Sequence, residues 1–527
     1  MIVLVLIGAL AATNGRALAQ QKPRQVTIVV PYTAYEWWLI QWEANMVLCR
    51  VVVDHEGLPT QEEVLAACGS ELYTLWINTP PCAVAAQGKK DTSTCRGLYL
   101  HLVSASPAEK EVVVDLPPPS VWVNLEGCQP KPPENLCQTI PYLLLTGEEP
   151  LPNEKIIAIR GTYAGQPFTC PGSVCKLALQ PTPLEGVIIE FWAQSSYGDE
   201  SEHFTARVRV IDSGVSAAPG SGGWYVDVIS SQWIGPALAS CSRIWQSFPP
   251  AGGLPEWLST PEQPGLLATG DPLFYLAGRL IAQGLVDTKT CAQGGLLPNG
   301  YADACGMEKA KPLLLLWQNQ FDKRMVEVAK ETGVPAQLMK NLFAQESQFW
   351  PGMFRVPYEF GLGQITDSGA DSILIWDETF YNQFCPLVLA GDTCSKGYFR
   401  LTPDEQALLR GAVASLADSD CTDCPSGIDL SHAKFSVSLF AQTLLANCAQ
   451  VGQTVTTATE VVPGLVASYE DLWRFTVANY HAGPGCVSFA IHQAWMTTGK
   501  LNWETVSARF TEACKGVVPY VDKISGR

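Results

Sequence analysis

At 527 residues the chain is long enough for about three domains of ordinary size. With 47% hydrophobic and only 16% charged residues it can bury large cores. Its net charge of −17 excludes charge-driven binding to nucleic acid or to an acidic surface.

The N-terminus, "MIVLVLIGALAATNGRALAQ", has an apolar run from Ile2 to Ala12 followed by the small-x-small site Ala17-Leu18-Ala19. This reads as a signal peptide, residues 1–19, cut after Ala19. The run is too short to span a bilayer. An uncleaved anchor is the alternative, because no Lys or Arg precedes the run. No later stretch of about 20 apolar residues follows, so no membrane span is expected in the mature chain. The expected location is secreted or cell-surface.

Residues 20–96 read as a small disulfide-containing module. It opens on the aromatic "YEWWLIQW" and carries one helix, Thr60 to Ala67, with Glu62 and Glu63 in its first turn. Residues 97–212 read as β structure: "LYLHLV", "EVVVDL", "SVWVNL", "EKIIAIRGTY", "GVIIEFWAQSS" and "FTARVRVID" are apolar or β-branched runs parted by Pro and charged turns. The latter half of this region resembles the immunoglobulin-like sandwich of many bacterial surface proteins, in its strand spacing and its "FWAQSSYGDES…ARVRV" ending. That resemblance implies a spacer or a binder of a cell-surface partner. Residues 213–307 read as linker ("SAAPGSGGW") and short helices, one of them started by Asp271-Pro272.

From 308 to 527 the pattern is helical. Leu313 to Glu331 is one long amphipathic segment, Pro335 opens the next helix, and "LVASYEDLWRFTVANY" is stopped by Gly483-Pro484.

The 18 cysteines are even in number, which in an exported chain reads as disulfides. Proximity suggests Cys82/Cys95, Cys128/Cys137, Cys170/Cys175, Cys291/Cys305, Cys385/Cys394, Cys421/Cys424 and Cys486/Cys514. Cys421-Thr-Asp-Cys424 has the spacing of half a zinc site or a redox pair. No second C-x-x-C follows it and the chain has only six histidines, so the expectation is a disulfide, with no metal and no cofactor.

Chemistry enters at "LMKNLFAQESQFWP", residues 338–351. At 100° per residue Met339, Leu342, Phe343, Phe349 and Trp350 fall within roughly 60° of Glu346. Lys340, Asn341, Gln345, Ser347 and Gln348 lie on other sides. A carboxyl among apolar side chains is desolvated, which raises its pKa and lets it act as an acid near neutral pH. A misjudged helix boundary or an ion pair is the structural alternative.

Two further segments follow in order: Gly361-Leu362-Gly363-Gln364-Ile365-Thr366, starting fifteen residues after Glu346, and "ANYHAGPGCV", Ala478 to Val487. Together with Glu346-Ser347 they resemble the soluble-type lytic transglycosylases, which share a fold with goose-type lysozyme. The family pattern is a Glu-Ser pair at a helix end, then Gly-Leu-Met-Gln-Ile, then Ala-Tyr-Asn-Ala-Gly. The resemblance covers 308–527. It implies a mainly α, lysozyme-like C-terminal domain, which with the β-rich, immunoglobulin-like N-terminal half read above makes a multidomain chain. The implied activity is cleavage of peptidoglycan glycan strands between N-acetylmuramic acid and N-acetylglucosamine, leaving 1,6-anhydro-muramyl ends.

The implied roles are general acid, then base, for Glu346, a hydrogen bond from Tyr480 that orients it, contact of Gln364 with the substrate, and a place for Ser347 near the adjoining subsite. Gly363 stands where the family usually has Met, Asn479 where it often has Ala, and His481 where it usually has Asn. His481 is either a substrate contact or a packing residue. Between Gln364 and Tyr480 lie 115 residues, which places an insertion near 378–427. Trp350, Tyr358 and Trp376 are candidates for stacking on sugar rings. Asp367, Asp371 and Glu359 are candidates for a second carboxylate, which a lysozyme-like hydrolase would need. The alternatives are such a hydrolase on the same fold, or a non-catalytic wall-binding surface protein.

Overall fold

A computed structural model describes residues 23–82, 94–129, 136–218, 221–235, 240–355 and 358–526. The expected signal peptide, 1–19, lies outside the described residues. The chain divides into two compact units.

The first unit runs to Pro119 and includes the short segments Glu149–Lys155 and Ser195–Glu200. Strands β1 (Gln25–Gln41), β2 (Met46–Val53) and β3 (Leu98–Asp115) form an antiparallel sheet in the order β2-β1-β3. A helix, Gln61–Ile77, packs Val64 against Trp37, Val51 and Val53, and Cys49–Cys68 ties it to β2. Thr60 caps it in a capping box with Glu63. The helix is longer than expected, continuing past a break at Gly69 (φ 77°) that only glycine adopts readily. "LYLHLV" and "EVVVDL" are two parts of the single strand β3, so this unit extends to 119 rather than 96.

The second unit begins with two facing antiparallel sheets. One has the order β4 (Ser120–Glu126), β6 (Tyr142–Glu148), β9 (Val174–Ala178). The other has the order β5-β12-β11-β10-β7-β8, with β5 Leu136–Cys137, β7 Ile156–Tyr163, β8 Gln166–Pro171, β10 Val187–Ser195, β11 Phe204–Ala218 and β12 Ser221–Ser230. Alternate residues from both sheets, among them Val121, Leu143, Phe191, Val208 and Val226, fill one core. The stretch "SAAPGSGGW" is not a linker. Its described residues are strand: Ser216 pairs with Gly222 and Ala218 with Ser221 between β11 and β12, and β12 is a further strand beyond those expected. Gly and Ser mark chain reversals as readily as flexible connections.

On the face of β11 away from this core, Arg207 donates to the carbonyl of Gln246 (2.7 Å) and Arg209 to that of Pro249 and to the Asp227 carboxylate (2.9 Å). The helical part therefore starts near residue 240 rather than 308. Cys241, Trp245, Trp257, Leu276 and Ala302 share one core with Met339, Phe343 and Trp473.

Within that core run the long helices Ala433–Thr459 and Tyr469–Thr498, the latter broken at Gly483 (φ 79°) where the sequence places its stop. The segment Leu313 to Glu331 is two helices, Ala304–Asn319 and Asp322–Thr332. The 378–427 region has helices Glu378–Phe384 and Pro403–Ala417 and packs Tyr381, Phe384, Leu409 and Val413 into a separate core with the helix Asp367–Trp376.

Nine disulfides use all 18 cysteines. All seven pairs read from proximity are present. Cys49–Cys68 and the long-range Cys241–Cys448 complete the set. Such a density of disulfides fits an extracellular protein. Among the described residues no helix is long and apolar enough to cross a membrane.

Candidate active site

The helix Ala336–Glu346 buries Leu338, Met339, Leu342 and Phe343 completely, so its apolar stripe faces the domain core. Glu346 is its last residue. Beyond Ser347, Gln348 and Phe349 adopt left-handed backbone (φ 48° and 63°), which ends the helix and turns the chain. The turn is held from outside: the Gln348 side chain accepts from the backbone N–H of Tyr275 (2.8 Å), and the Trp317 indole donates to the Phe349 carbonyl (2.9 Å).

Burial pushes the Glu346 carboxyl up to about 7. The Tyr520 hydroxyl donates to its Oε1 and partly opposes the rise, while the charge of Glu359 adds to it. A carboxylic acid that stays protonated close to neutral pH can deliver a proton to a leaving oxygen.

The segment 361–364 is fixed beside this helix end. Ser347 donates to the Leu362 carbonyl (2.7 Å), Ser436 accepts from the Leu362 N–H (3.2 Å), and Tyr480 donates to the Gly363 carbonyl. Gly361 has φ 71°, and a Cβ there would meet the Ala417 carbonyl oxygen at 2.9 Å. Gly363 is required for a different reason: a Cβ would lie 2.1 Å from the Phe440 ring. Phe440 packs edge-on against Tyr480 (5.3 Å) and tilted against Phe343 (4.9 Å), filling the space beside residue 363. Gln364, also left-handed (φ 53°), donates its amide to the Gly361 carbonyl (2.6 Å).

The expected residues separate into groups. Ser347 and Tyr480 tie the 361–364 segment, which carries Gln364, to the end of the Glu346 helix, but the hydrogen bond on Glu346 comes from Tyr520 and not from Tyr480. Tyr480 has spent its proton on Gly363, although it still lies within electrostatic reach of Glu346 and Glu359. Burial raises both phenols well above the usual tyrosine value, so both remain donors. The His481 ring stacks on Tyr520 (3.9 Å, 12° between planes), and partial burial lowers its pKa, favouring the neutral imidazole.

Ser347 is 1% exposed with its hydroxyl on two carbonyls, so it braces the loop and has no surface for a subsite. Trp350 is likewise core: it stacks on Trp317 (5.6 Å) under the Arg279 guanidinium (4.7 Å). Tyr358 is 64% exposed and open to a ligand. Asn479 is buried, joining the two long helices through Asn447 and Gln450 (2.7 Å each).

Of the three acids considered as partners, Asp371 is engaged by Arg410 (3.1 Å) and Tyr398, and Asp367 lies in the first turn of its helix. Glu359, raised by burial, is the one that acts on Glu346.

Two residues defeated the sequence reading. Tyr520 lies in no recognisable motif. Its only signal is a tyrosine on the apolar face of Val517–Ile524, where a buried hydroxyl needs a partner. Lys340, which the helix period places off the apolar stripe, is fully buried and paired with Asp322 (2.6 Å).

No known protein family matches the chain, and comparison with curated proteins and with solved structures likewise finds no match.

Proposed function

We propose that the chain is an exported peptidoglycan lytic transglycosylase with Glu346 as its catalytic acid. The observation that carries this reading is the Glu346 carboxyl, raised by burial to about 7 beside the 361–364 segment, so that a large fraction keeps its proton near neutral pH. Burial and the single hydrogen bond from Tyr520 surround it, no ion pair among the described residues involves it, and a pKa near the working pH suits a general acid. In this reading Glu346 protonates the glycosidic oxygen as the bond to N-acetylmuramic acid breaks. The resulting carboxylate then takes the proton of the sugar's own C6 hydroxyl, which closes the 1,6-anhydro ring. The substrate brings its nucleophile with it, a gain in proximity over capturing water.

Tyr520 steadies the carboxyl in both protonation states. The Gln364 side-chain carbonyl, whose amide nitrogen is already tied down, is the group we assign to a substrate N–H. Exposed Tyr358 is assigned to sugar stacking. The helical part is read as lysozyme-like and the facing sheets as immunoglobulin-like, the latter serving as a spacer or surface binder.

A second reading has one observation in its favour. Glu359 lies close enough to Glu346 to raise it, and a second carboxyl is what a hydrolase uses to activate water. A zymogram on purified cell walls with the wild type and Glu346→Gln tests catalysis itself. Cleavage by the wild type alone supports both enzymatic readings; no cleavage by either favours a wall-binding protein.

A further inference from the structure

The Cys486–Cys514 disulfide joins the two segments that meet at Glu346. Cys486 lies six residues after Tyr480 and Cys514 six residues before Tyr520. Between the same segments the His481 ring stacks on Tyr520, whose hydroxyl reaches Glu346.

The helix that carries Tyr520, Val517–Ile524, has only eight residues, too few to hold its shape without anchors. Its polar anchors lie at or beyond Tyr520. Asp522 accepts from the Trp503 indole (2.7 Å), Lys523 reaches Gln345 (2.6 Å) and Asp271 (2.7 Å), and the Ile524 carbonyl accepts from Asn341 (3.0 Å). On the side where the chain enters the helix, Val517 is buried in the core and the covalent tie is the disulfide.

We infer that Cys486–Cys514 is a positioning element for the catalytic acid: it holds Tyr520 beneath His481 so that the phenol donates to Glu346. This rests on the reading of Glu346 as the acid. The bond acts through Tyr520 and touches no substrate. It differs in this from Cys421–Cys424, which closes only its own turn.

The test uses the full chain carrying tyrosine labelled with ¹³C at Cζ, the Tyr520 resonance being assigned from Tyr520→Phe. In the native protein that resonance is expected to follow the ionisation of Glu346, with a midpoint near 7. The groups facing Glu346 are Tyr520, Tyr480 and Glu359; His481 faces Tyr520, and His481→Phe keeps the stack while removing the imidazole's own titration. The response is expected to vanish in Cys486→Ser/Cys514→Ser and to persist in Cys421→Ser/Cys424→Ser.

Wall cleavage should fall about tenfold in Cys486→Ser/Cys514→Ser, and adding Tyr520→Phe should cost nothing more, because both changes remove one interaction. If the serine variant does not melt cooperatively, Cys486→Ala/Cys514→Val, which fills the space with apolar atoms, takes its place. A folded variant in which Tyr520 still reports Glu346, or in which the two losses multiply, overturns the proposal. If the wild type leaves cell walls intact, the enzymatic reading fails, and the resonance alone still decides whether the disulfide positions Tyr520.

Discussion

The hydroxyl of Tyr520 donates to Oε1 of Glu346 across 174 residues of sequence. A hydrogen bond to the charged form favours it, so this contact works against the burial that raises the carboxyl. Tyr520→Phe should therefore move Glu346 above its value of about 7. The basic limb of the pH–rate profile, where the acid loses its proton, should shift to higher pH. The rate at its optimum should fall on the order of tenfold, because the carboxyl is no longer oriented. An unmoved basic limb would contradict this role.

Glu346 also has a stability signature. Its folded pKa of about 7 exceeds the ordinary 4.5, so the folded state binds the proton more tightly than the unfolded chain does. The associated stability is fully present below pH 4.5 and is lost as the pH rises through 7. Over that window the loss is at most about 3.5 kcal/mol, taking ~1.4 kcal/mol per pH unit. Glu346→Gln has no proton to lose. Relative to the wild type it should gain stability from pH 4 to pH 8 while wall cleavage drops 10²-fold or more. Urea titrations of both proteins across that range measure the first effect, and a constant difference would contradict the raised pKa.

Lys340 and Asp322 form a buried pair beneath the same helix, with Lys340 also on the Gln318 carbonyl (3.2 Å) and the Asn319 side chain (2.9 Å). Burial lowers the lysine and raises the aspartate, and each opposes the shift of the other. Oδ2 of Asp322 has no hydrogen bond among the described residues. Lys340→Ala should cost about 3–5 kcal/mol, since it strands a buried carboxyl. Lys340→Met/Asp322→Leu should recover most of that loss in a denaturant titration. Equal losses in the single and double variants would place the cost in packing instead.

The disulfides should differ in weight. Loop-closure entropy assigns roughly 5 kcal/mol to a bond closing 207 residues and roughly 2 kcal/mol to one closing three. Cys241→Ser/Cys448→Ser should thus lower the melting temperature clearly more than Cys421→Ser/Cys424→Ser. Thiol titration of the denatured, unreduced wild type should find essentially no free cysteine.

What was legible in the sequence was local. The turn chemistry around Thr60, the break at Gly483 and seven of the cysteine pairs depend on neighbours a few residues apart, and they stand in the structure as expected. Glu346 was legible because a carboxyl on an apolar stripe conflicts with the helix period. What failed depended on distant chain. Lys340 looks like a surface residue until Asp322 and two further oxygen acceptors are folded onto it. Cys241–Cys448 spans two regions read separately, and for the same reason the helical part was started too late. The glycine at 363 is explained by a ring 77 residues away in Phe440, which no local pattern announces. The family resemblance implies a hydrogen bond from Tyr480 to Glu346, yet the Tyr480 proton goes to the neighbouring backbone carbonyl of Gly363.

In the proposed mechanism Glu346 works alone and the substrate supplies the nucleophile. Digestion of peptidoglycan in heavy-oxygen water, followed by mass spectrometry of the released sugars, tests it most directly. The expected products are 1,6-anhydro-muramyl ends that carry no solvent oxygen. Reducing ends labelled with solvent oxygen would contradict it and move the chemistry to water activated by a second carboxyl, with Glu359 the first residue to replace.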